Sequence, residues 1–404
     1  MATTSFVYHT LGLRGYRHLR TEYKGGVVVH HVELSGEKRR CRGCGAPAGE
    51  LTLEGRFVRR FRALPVGSRQ QFVVLHGHEQ RCRRCGRRLR EPILFAKGKQ
   101  RHIRAFERYV VDLCRIAPIK HVADHLGIGW TLVKDIFKTH LRRRLKRRSL
   151  RFVRRIAIDE FAIRKGHQYM TVVLDLDTGR ILHAAEGRSA DAVIPFLRRL
   201  KKFRTSLQAV AVDMWPAYLL AIREVFPDVS VVHDPFHIVA LANAAVDATR
   251  REIARSLPAA DRRALKGTRF LLLKGGDRLD HTAMPYLQRL ESLNRPLFQA
   301  YLLKEDLRRF WSMPSRKAAQ RFLGAWIARA LASRLKFMIR LARTLRAHRH
   351  GLLAWYDHPI STAPLEGINN KIKVLKRQAY GFRDIEYFKL RLAFIHESTP
   401  AFAG

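Results

Sequence analysis

VRRIAIDEFAIRKGHQYMTVVLDLDTGRIL (Val153–Leu182) is where the reading of this chain begins. AIDEFAI, QYMTVVLDL and RILHAAEG are runs of strand length, rich in apolar and β-branched residues, and read as three consecutive strands. Asp177, Thr178 and Gly179 between the last two supply turn chemistry. Working outward, a helix spans Ala190 to Phe203, the strand AVAVD ends at Asp213, a helix lies around Tyr218 to Phe226, and the strand VSVVHD ends at Asp234. From Pro235 to about Tyr356 only helical periodicity is present, and a last helix runs from about Leu365 to Arg377.

Asp159 lies in the first of these strands, among Ile156, Ala157, Ile158 and Phe161, and Asp213 ends AVAVD. A charge at a buried strand position is costly unless it is paired or binds a metal. Two strands can set two aspartates side by side, and Glu366, which starts a helix after Pro364, completes a set of three. Carboxylates holding two divalent ions can activate a water or a 3′-hydroxyl and stabilise the leaving oxygen of a phosphodiester. Asn370, Lys373 and Arg377 follow Glu366 on one helix face, where they suit phosphate backbone. Spacing alone leaves the choice open. Glu160, Asp175, Asp177 and Asp234 compete as acids, with Asp177 better explained by the turn, and the bland alternative is a scatter of unrelated carboxylates.

The 404 residues hold 78 Lys+Arg against 34 Asp+Glu, a net charge of +44, with 47% hydrophobic residues. At ~150 residues per domain this length suggests two to three domains, with ample material for a core. The charge calls for a polyanion, and residues 1–150 carry 34 basic against 11 acidic residues. RCRRCGRRLR (Arg81–Arg90) and RRRLKRR (Arg142–Arg148) are the densest runs, suited to sequence-blind phosphate binding. No apolar run approaches the ~18 residues of a membrane span, and the N-terminus lacks a secretory layout.

Cys41-x-x-Cys44-Gly and Cys82-x-x-Cys85-Gly are two knuckles. Together they offer four thiolates in a tetrahedron, which suits structural Zn²⁺ in a zinc ribbon with a hairpin between the knuckles. A redox dithiol or two disulfides are the competing readings, both less suited to the cytosol or to a duplicated motif. Two strand candidates lie between the knuckles, Arg56 to Leu64 and Gln70 to His78, while residues 1–40 hold one strand-like run, VVVHHVEL. Cys114 reads as a small buried side chain. Ile119 to Lys138 reads as a helix-turn-helix with Ala123 and Gly127 at the close approach and turn. Its second helix, starting near Trp130, presents Trp130, Thr131, Lys134, Asp135 and Lys138 to a groove, followed by Arg142, Arg143 and Arg144. An ordinary helical hairpin is the competing reading.

Val153–Leu182, VAVDMWPAYLLAI (Val210–Ile222), HDPFHIVALANAA (His233–Ala245) and STAPLEGINNKIKVLKRQAYGFRD (Ser361–Asp384) resemble the DDE transposases of the ISL-three group of bacterial insertion sequences. The knuckles and the helix-turn-helix match the same group in order. The resemblance implies a multidomain α/β protein. In it a zinc-ribbon domain (1–95) and a helix-turn-helix domain with its basic run (96–150) precede a ribonuclease-H-like DDE domain (151–404). An all-α insertion interrupts that last domain at about 235–356. The resemblance also implies Asp159, Asp213 and Glu366 as catalytic carboxylates on Mg²⁺ (or Mn²⁺), beside Zn²⁺ on the cysteines. The expected activity is binding of the element's terminal inverted repeats, then cleavage and strand transfer on double-stranded DNA, by a homodimer or larger assembly. The expected location is the bacterial cytoplasm, at the nucleoid. A catalytically silent DNA-binding regulator and a nuclease without strand transfer are the alternatives. His237, in the Asp-x-Phe-His pattern, reads as structural. Trp311 and Trp326 read as core residues before base-stacking ones, and Trp215 is as readily a packing residue.

Overall fold

The computed structural model describes residues 6–164, 168–258, 268–275 and 294–396, in two compact units, Met1–Lys146 and Arg147–His396. The parts of the helical reading at 259–267 and 276–293 lie outside the described residues. No described helix is long and apolar enough to cross a membrane.

The first unit opens with a short helix, α1 (Phe6–Leu11), and is built on a five-stranded sheet. β1 (Tyr16–Lys24) and β2 (Val27–Leu34) form a tight hairpin whose turn, Gly25–Gly26, has φ of +56° and +73°, open to glycine at little cost. β2 runs parallel to β4 (Gln70–Cys82), which pairs antiparallel with β3 (Leu51–Arg62) and β5 (Arg88–Arg90). β1 is a strand the sequence pattern does not show. YRHLRTEYK is exposed along nearly its whole length, so no buried face imposes alternation on it.

Three helices complete this unit: α2 (Arg104–Ile116), α3 (Ile119–Leu126) and α4 (Trp130–Lys146). Gly127 ends α3 in the left-handed region, φ +59°, with Ile128 N–H bonded to the Ala123 carbonyl. The buried Arg62 guanidinium donates to Gln70 Oε1 and, at 2.8 Å, to the Leu126 carbonyl. It thereby satisfies an orphan carbonyl of α3 and ties the helical turn to the sheet.

The second unit is centred on a sheet of β6 (Arg155–Arg164), β7 (Gln168–Asp175), β8 (Ile181–Glu186), β9 (Ala209–Val212) and β10 (Ser230–His233), in the order β10-β9-β6-β7-β8. β6, β9 and β10 are mutually parallel, and β7 and β8 antiparallel to their neighbours. Ile156, Ile158, Val173, Val210 and Val212 pack with α5 (Ile194–Lys202) and α6 (Pro216–Val225). Ala157, Val172, Leu174, Ala209, Ala211 and Val232 share the other core with two later helices, α13 (Ala363–Gln378) and α14 (Ile385–Ala393). Each buried Val, Ile or Leu contributes about 1.5–3 kcal/mol relative to exposure, so both faces are strongly held.

Between β10 and α13 all described regular structure is helical: α7 (Pro235–Ser256), α8 (Thr268–Leu273), α9 (Arg295–Arg308), α10 (Arg316–Ala332), α11 (Lys336–Ala347) and the short α12 (Arg349–Leu353), with brief 3₁₀ turns. These helices share their own core around Ile238, Tyr301, Phe310, Trp326 and Leu341. α14 was not legible as a helix, although Asp384 caps it by accepting the Tyr387 N–H at 2.9 Å.

Candidate functional site

The two knuckles meet. β3 and β4 pair from Leu51↔Cys82 to Arg62↔Phe72, and this long hairpin brings Cys82 and Cys85 back to Cys41 and Cys44. Cys41 Sγ lies 3.7 Å from Cys85 Sγ, and Cys44 Sγ 3.6 Å from Cys82 Sγ. A Zn–S bond of about 2.3 Å gives a tetrahedral edge of about 3.8 Å, so the sulfurs stand at zinc-ligand spacing. The left-handed Gly45 and Gly86, φ +75° and +68°, turn each knuckle back. The N–H groups of Cys44 and Gly43 pull the Cys41 thiol down to about 6, whereas, against the Ala46 N–H, burial and the neighbouring thiols push Cys44 up to about 11, so the clustered thiols share their protons until a metal displaces them. Among the described residues these four cysteines are the set of His, Cys, Asp or Glu ligands gathered within 4.8 Å of one another.

In the helix-turn-helix segment, α4 buries Val133, Ile136, Phe137 and Leu141. Trp130, Thr131, Asp135, Arg142, Arg143 and Arg144 are exposed, and Lys134 and Lys138 half-buried. The Lys134 amine sits 5.5 Å from the Trp130 ring, at cation–π range.

The acids of the second unit are placed by strand register. β6 and β9 pair as Arg155↔Ala209, Ile156↔Val210 and Ala157↔Ala211. Two steps further along, Asp159 comes level with Asp213. β9 and β10 pair from Ala209↔Ser230 to Val212↔His233, and the next step sets Asp213 level with Asp234. Continued past the last paired residues, these registers set three aspartates in a row, Asp213 and Asp234 just after β9 and β10 and Asp159 midway along β6, at the end of the parallel part of the sheet where α/β sheets place their ligands. The row continues the face of Ala157, Ala209, Ala211 and Val232, over which Leu365, Ile368, Ile372 and Leu375 of α13 pack.

Burial raises the Asp159 carboxyl above the ordinary range, and the charges of Asp213 and Asp234 add to this against the Glu160 N–H and His237. Burial also raises Asp213, with Asp234 adding to it and the Trp215 N–H opposing at 3.0 Å. A bound cation relieves both costs, since it compensates lost hydration and like-charge repulsion together. Half-buried carboxylate oxygens are the hard donors that Mg²⁺ or Mn²⁺ takes.

Glu366 stands in the first turn of α13, exposed, on a face shared with Asn370, Lys373 and Arg377. Lys376 holds this helix to the sheet, its Nζ donating to the Ala162 and Ile163 carbonyls of β6 at 3.3 and 2.5 Å. As a set, Asp159, Asp213 and Glu366 are not gathered within 4.8 Å of one another.

Asp234 does something the spacing did not reveal. Its carboxylate, 1% exposed, accepts the Phe236 N–H at 3.3 Å as the cap of α7, and the Thr362 hydroxyl at 2.5 Å. Thr362 is the residue that opens α13. Asp234 thus ties the end of β10 to the starts of two helices. Asp-Pro at a helix start was a legible sign of the first tie, but nothing local signals the second. His237 Nε2 lies 3.8 Å from Asp234 Oδ2.

The other competing acids are accounted for. Glu160, on the opposite face of β6, accepts from the Tyr218 hydroxyl at 3.1 Å. Asp175 accepts from the Asp177 N–H and the Thr178 hydroxyl within the β7–β8 turn, and Asp177 pairs with Arg155. Trp326 is fully buried and donates to the Leu303 carbonyl at 2.8 Å, so it is a core residue. Trp311 packs partly buried against the same core, and Trp215 donates to the Arg188 carbonyl at 2.9 Å.

Comparison with known proteins matches residues 156–392 to the transposase family model DDE_Tnp_ISL3, and residues 92–141 to the helix-turn-helix domain of transposase family ISL3. The chain is 34% identical over 397 residues to the transposase for insertion sequence element IS1001 of Bordetella parapertussis, covering 95% of this chain and 96% of that one. It is 32% identical over 389 residues to the transposase for insertion sequence element IS1557 of Mycobacterium tuberculosis, covering 89% and 86%. A chain of the Drosophila P element transposase strand transfer complex is similar at a TM-score of 0.34 and 9% identity, over 72% of this chain and 90% of that one. That last likeness is too slight to build on.

Proposed function

Because the chain belongs to the transposase family ISL3, with a helix-turn-helix domain and a DDE transposase domain, we propose that it binds the terminal inverted repeats of its own insertion sequence and cuts and joins DNA there. The row formed by Asp159, Asp213 and Asp234 is the observation that carries this reading. The strand order β10-β9-β6-β7-β8, with three antiparallel strands followed by two parallel ones, supports a ribonuclease-H-like domain. Within it the helices from Pro235 to Tyr356 are an insertion.

Asp159, Asp213 and Glu366 are the proposed ligands of Mg²⁺ or Mn²⁺, which when bound supplies Lewis-acid activation of water or a 3′-hydroxyl and stabilises the leaving oxygen. Asp213 is held ready by the Trp215 N–H, and Asp159 by the Glu160 N–H at 2.8 Å. Asn370, Lys373 and Arg377, on the exposed face of α13, lie along the DNA backbone next to Glu366. Residues 1–95 with zinc on the four cysteines, and 96–150 with Trp130, Thr131, Lys134, Lys138 and Arg142–Arg144, supply recognition of the ends. Acting on two ends, the protein works as a dimer or larger assembly, in the cytoplasm at the nucleoid.

One observation favours a silent DNA-binding regulator instead: the pair Asp159 and Asp213 is not gathered with Glu366 within 4.8 Å as one metal-holding set. The transposase reading requires Glu366 to reach that pair once DNA and metal are bound. Cleavage and strand transfer on DNA carrying the element's ends, with Mg²⁺, comparing wild type with Asp213→Ala, decides between them. Joined product from wild type alone, with equal end binding by both proteins, upholds the transposase. Binding with no cleavage by wild type favours the regulator, and cutting of arbitrary DNA without joining favours a nuclease.

A further inference from the structure

Arg188 lies outside every set of residues assigned above. It follows β8 at the end of the sheet that carries the aspartates, because β8 runs antiparallel to β7 and β7 antiparallel to β6. Its backbone is fixed on both sides. Gly187 adopts φ +90°, its N–H donates to the Tyr169 carbonyl at 2.8 Å, and its carbonyl accepts the Thr171 hydroxyl at 2.7 Å. The Arg188 carbonyl accepts the Trp215 indole N–H at 2.9 Å. The side chain is fixed as well: the guanidinium carbon stands 4.7 Å from the Tyr169 ring centroid and 4.6 Å from that of Trp215.

Trp215 also connects this arginine to the candidate chemistry, since its backbone N–H donates to Asp213 Oδ1. Arg188 is close enough to Glu160 for its charge to favour that carboxylate's ionised form. Yet among the described residues it has no carboxylate within 4.0 Å and its guanidinium N–H groups make no hydrogen bond. Ordering an arginine side chain costs rotamer entropy. Stacking offsets part of that cost but uses only the two faces of the plane. The N–H donors at its edge remain, in the fork geometry that fits two oxygens of one phosphate.

We propose that Arg188, held against Tyr169 and Trp215 on the Glu160 face, binds a backbone phosphate of DNA at the end of the sheet where Asp159 and Asp213 lie. This rests on the transposase reading. It adds a phosphate ligand on the wall of the sheet, apart from the α13 face and from the recognition modules. Its distinguishing feature is that the arginine is already stacked and oriented without DNA. Arg188 therefore senses the position of one linkage, where a flexible lysine would add only charge.

The test uses the full-length protein and a duplex of the inverted repeat flanking its own gene. A single uncharged methylphosphonate is walked through the linkages around the cleaved end. Affinity is measured by fluorescence anisotropy in Ca²⁺, with wild type, Arg188→Gln and Arg188→Met, the last filling the slot between the rings without charge. Wild type is expected to lose about tenfold in affinity at one or two linkages, the usual worth of a charge-assisted hydrogen bond. The variants are expected to be weaker overall and to lose nothing further at those linkages, with the salt slope of binding reduced by about one. Equal methylphosphonate losses in wild type and variants at every linkage, with an unchanged slope, would overturn the proposal and leave Arg188 a packing residue. Cleavage in Mg²⁺ is measured alongside. Coupling without wild-type cleavage upholds the phosphate contact and removes the transposition chemistry, whereas cleavage without coupling does the reverse.

Discussion

Replacing Thr362 by Val tests how the fold sets the start of the Glu366 helix. Valine nearly matches threonine in shape but exchanges the hydroxyl for a methyl. Asp234 then keeps the Phe236 N–H at 3.3 Å, while its Oδ2 retains only His237 Nε2 at 3.8 Å, beyond hydrogen-bond range. Asp234 is 1% exposed, so water cannot replace the lost donor. A buried acceptor left short costs about 1–3 kcal/mol, and a charged one falls in the upper half of that range. At about 2 kcal/mol, and about 2–4 °C per kcal/mol for a unit of this size, melting falls by about 4–8 °C. Thr362→Ser keeps the hydroxyl and is expected to stay close to wild type. The functional consequence follows from α-helix geometry. Glu366 lies four residues beyond Thr362, about one turn at 3.6 residues per turn, so loosening the first turn moves the glutamate directly. Metal-dependent cleavage by Thr362→Val, assayed well below its melting point, is expected to drop about tenfold or more, a misplacement effect. Unchanged melting would refute the buried bond as a tie. Lower melting with wild-type cleavage would refute the idea that it positions Glu366.

Three further outcomes are expected. Removing zinc with a chelator, or Cys82→Ser, unfolds the cysteine end of the β3–β4 hairpin and abolishes end binding, since structural zinc contributes about 10–16 kcal/mol of apparent binding energy; metal analysis with circular dichroism reads this out. His233 is 4% exposed, and burial, then His348, lowers its imidazole to about 4. A folded-state value below the unfolded one gives stability that is present above the ordinary value of 6.5 and is lost as pH falls toward about 4, by at most roughly 1.4 kcal/mol per pH unit. Melting curves across that window should show the loss in wild type and less of it in His233→Gln. Gly351→Ala drives a Cβ into the His233 ring and is expected to cost about 1–3 kcal/mol by denaturant titration, with His233→Ala in the same chain recovering part of it.

The strands that carry the aspartates were legible because they are buried on both faces. Ile156 to Ile158, Ala209 to Val212 and Val231 to Val232 are apolar runs too short for helices. β1 was hidden for the opposite reason: exposed and polar, it is held by pairing with β2 and by the glycine turn. The knuckles were legible because four thiols at that spacing have few other uses. Asp159 stood out as a charge within an apolar strand and Asp213 as one at a strand's end. Their alignment did not, because it depends on the offsets between β6, β9 and β10, which no local pattern encodes. The Asp234–Thr362 bond joins residues 128 positions apart, and the slot around Arg188 is assembled from β7, β8 and the turn after β9.

The placement of the acids is informative because it is unfavourable on its own. Asp159 and Asp213 are each raised by burial and then by neighbouring carboxylates, and Glu160 by burial and then by both of them. Selection for stability alone removes such charges or pairs each with an arginine, and this chain, with 78 Lys+Arg, has cations to spare. Where pairing serves structure it is present: Asp177 has Arg155 at the sheet's other end, and Asp234 has its two hydrogen bonds. Asp159 and Asp213 have backbone N–H donors that fix their orientation and no cation in contact among the described residues. Arg188, at the same end of the sheet and near Glu160 on the other face of β6, is held against aromatic rings. Oriented carboxylates with no cation in contact leave a charge cost that a metal bound as proposed would relieve, and the Arg188 edge left without a carboxylate partner would be matched by the proposed phosphate.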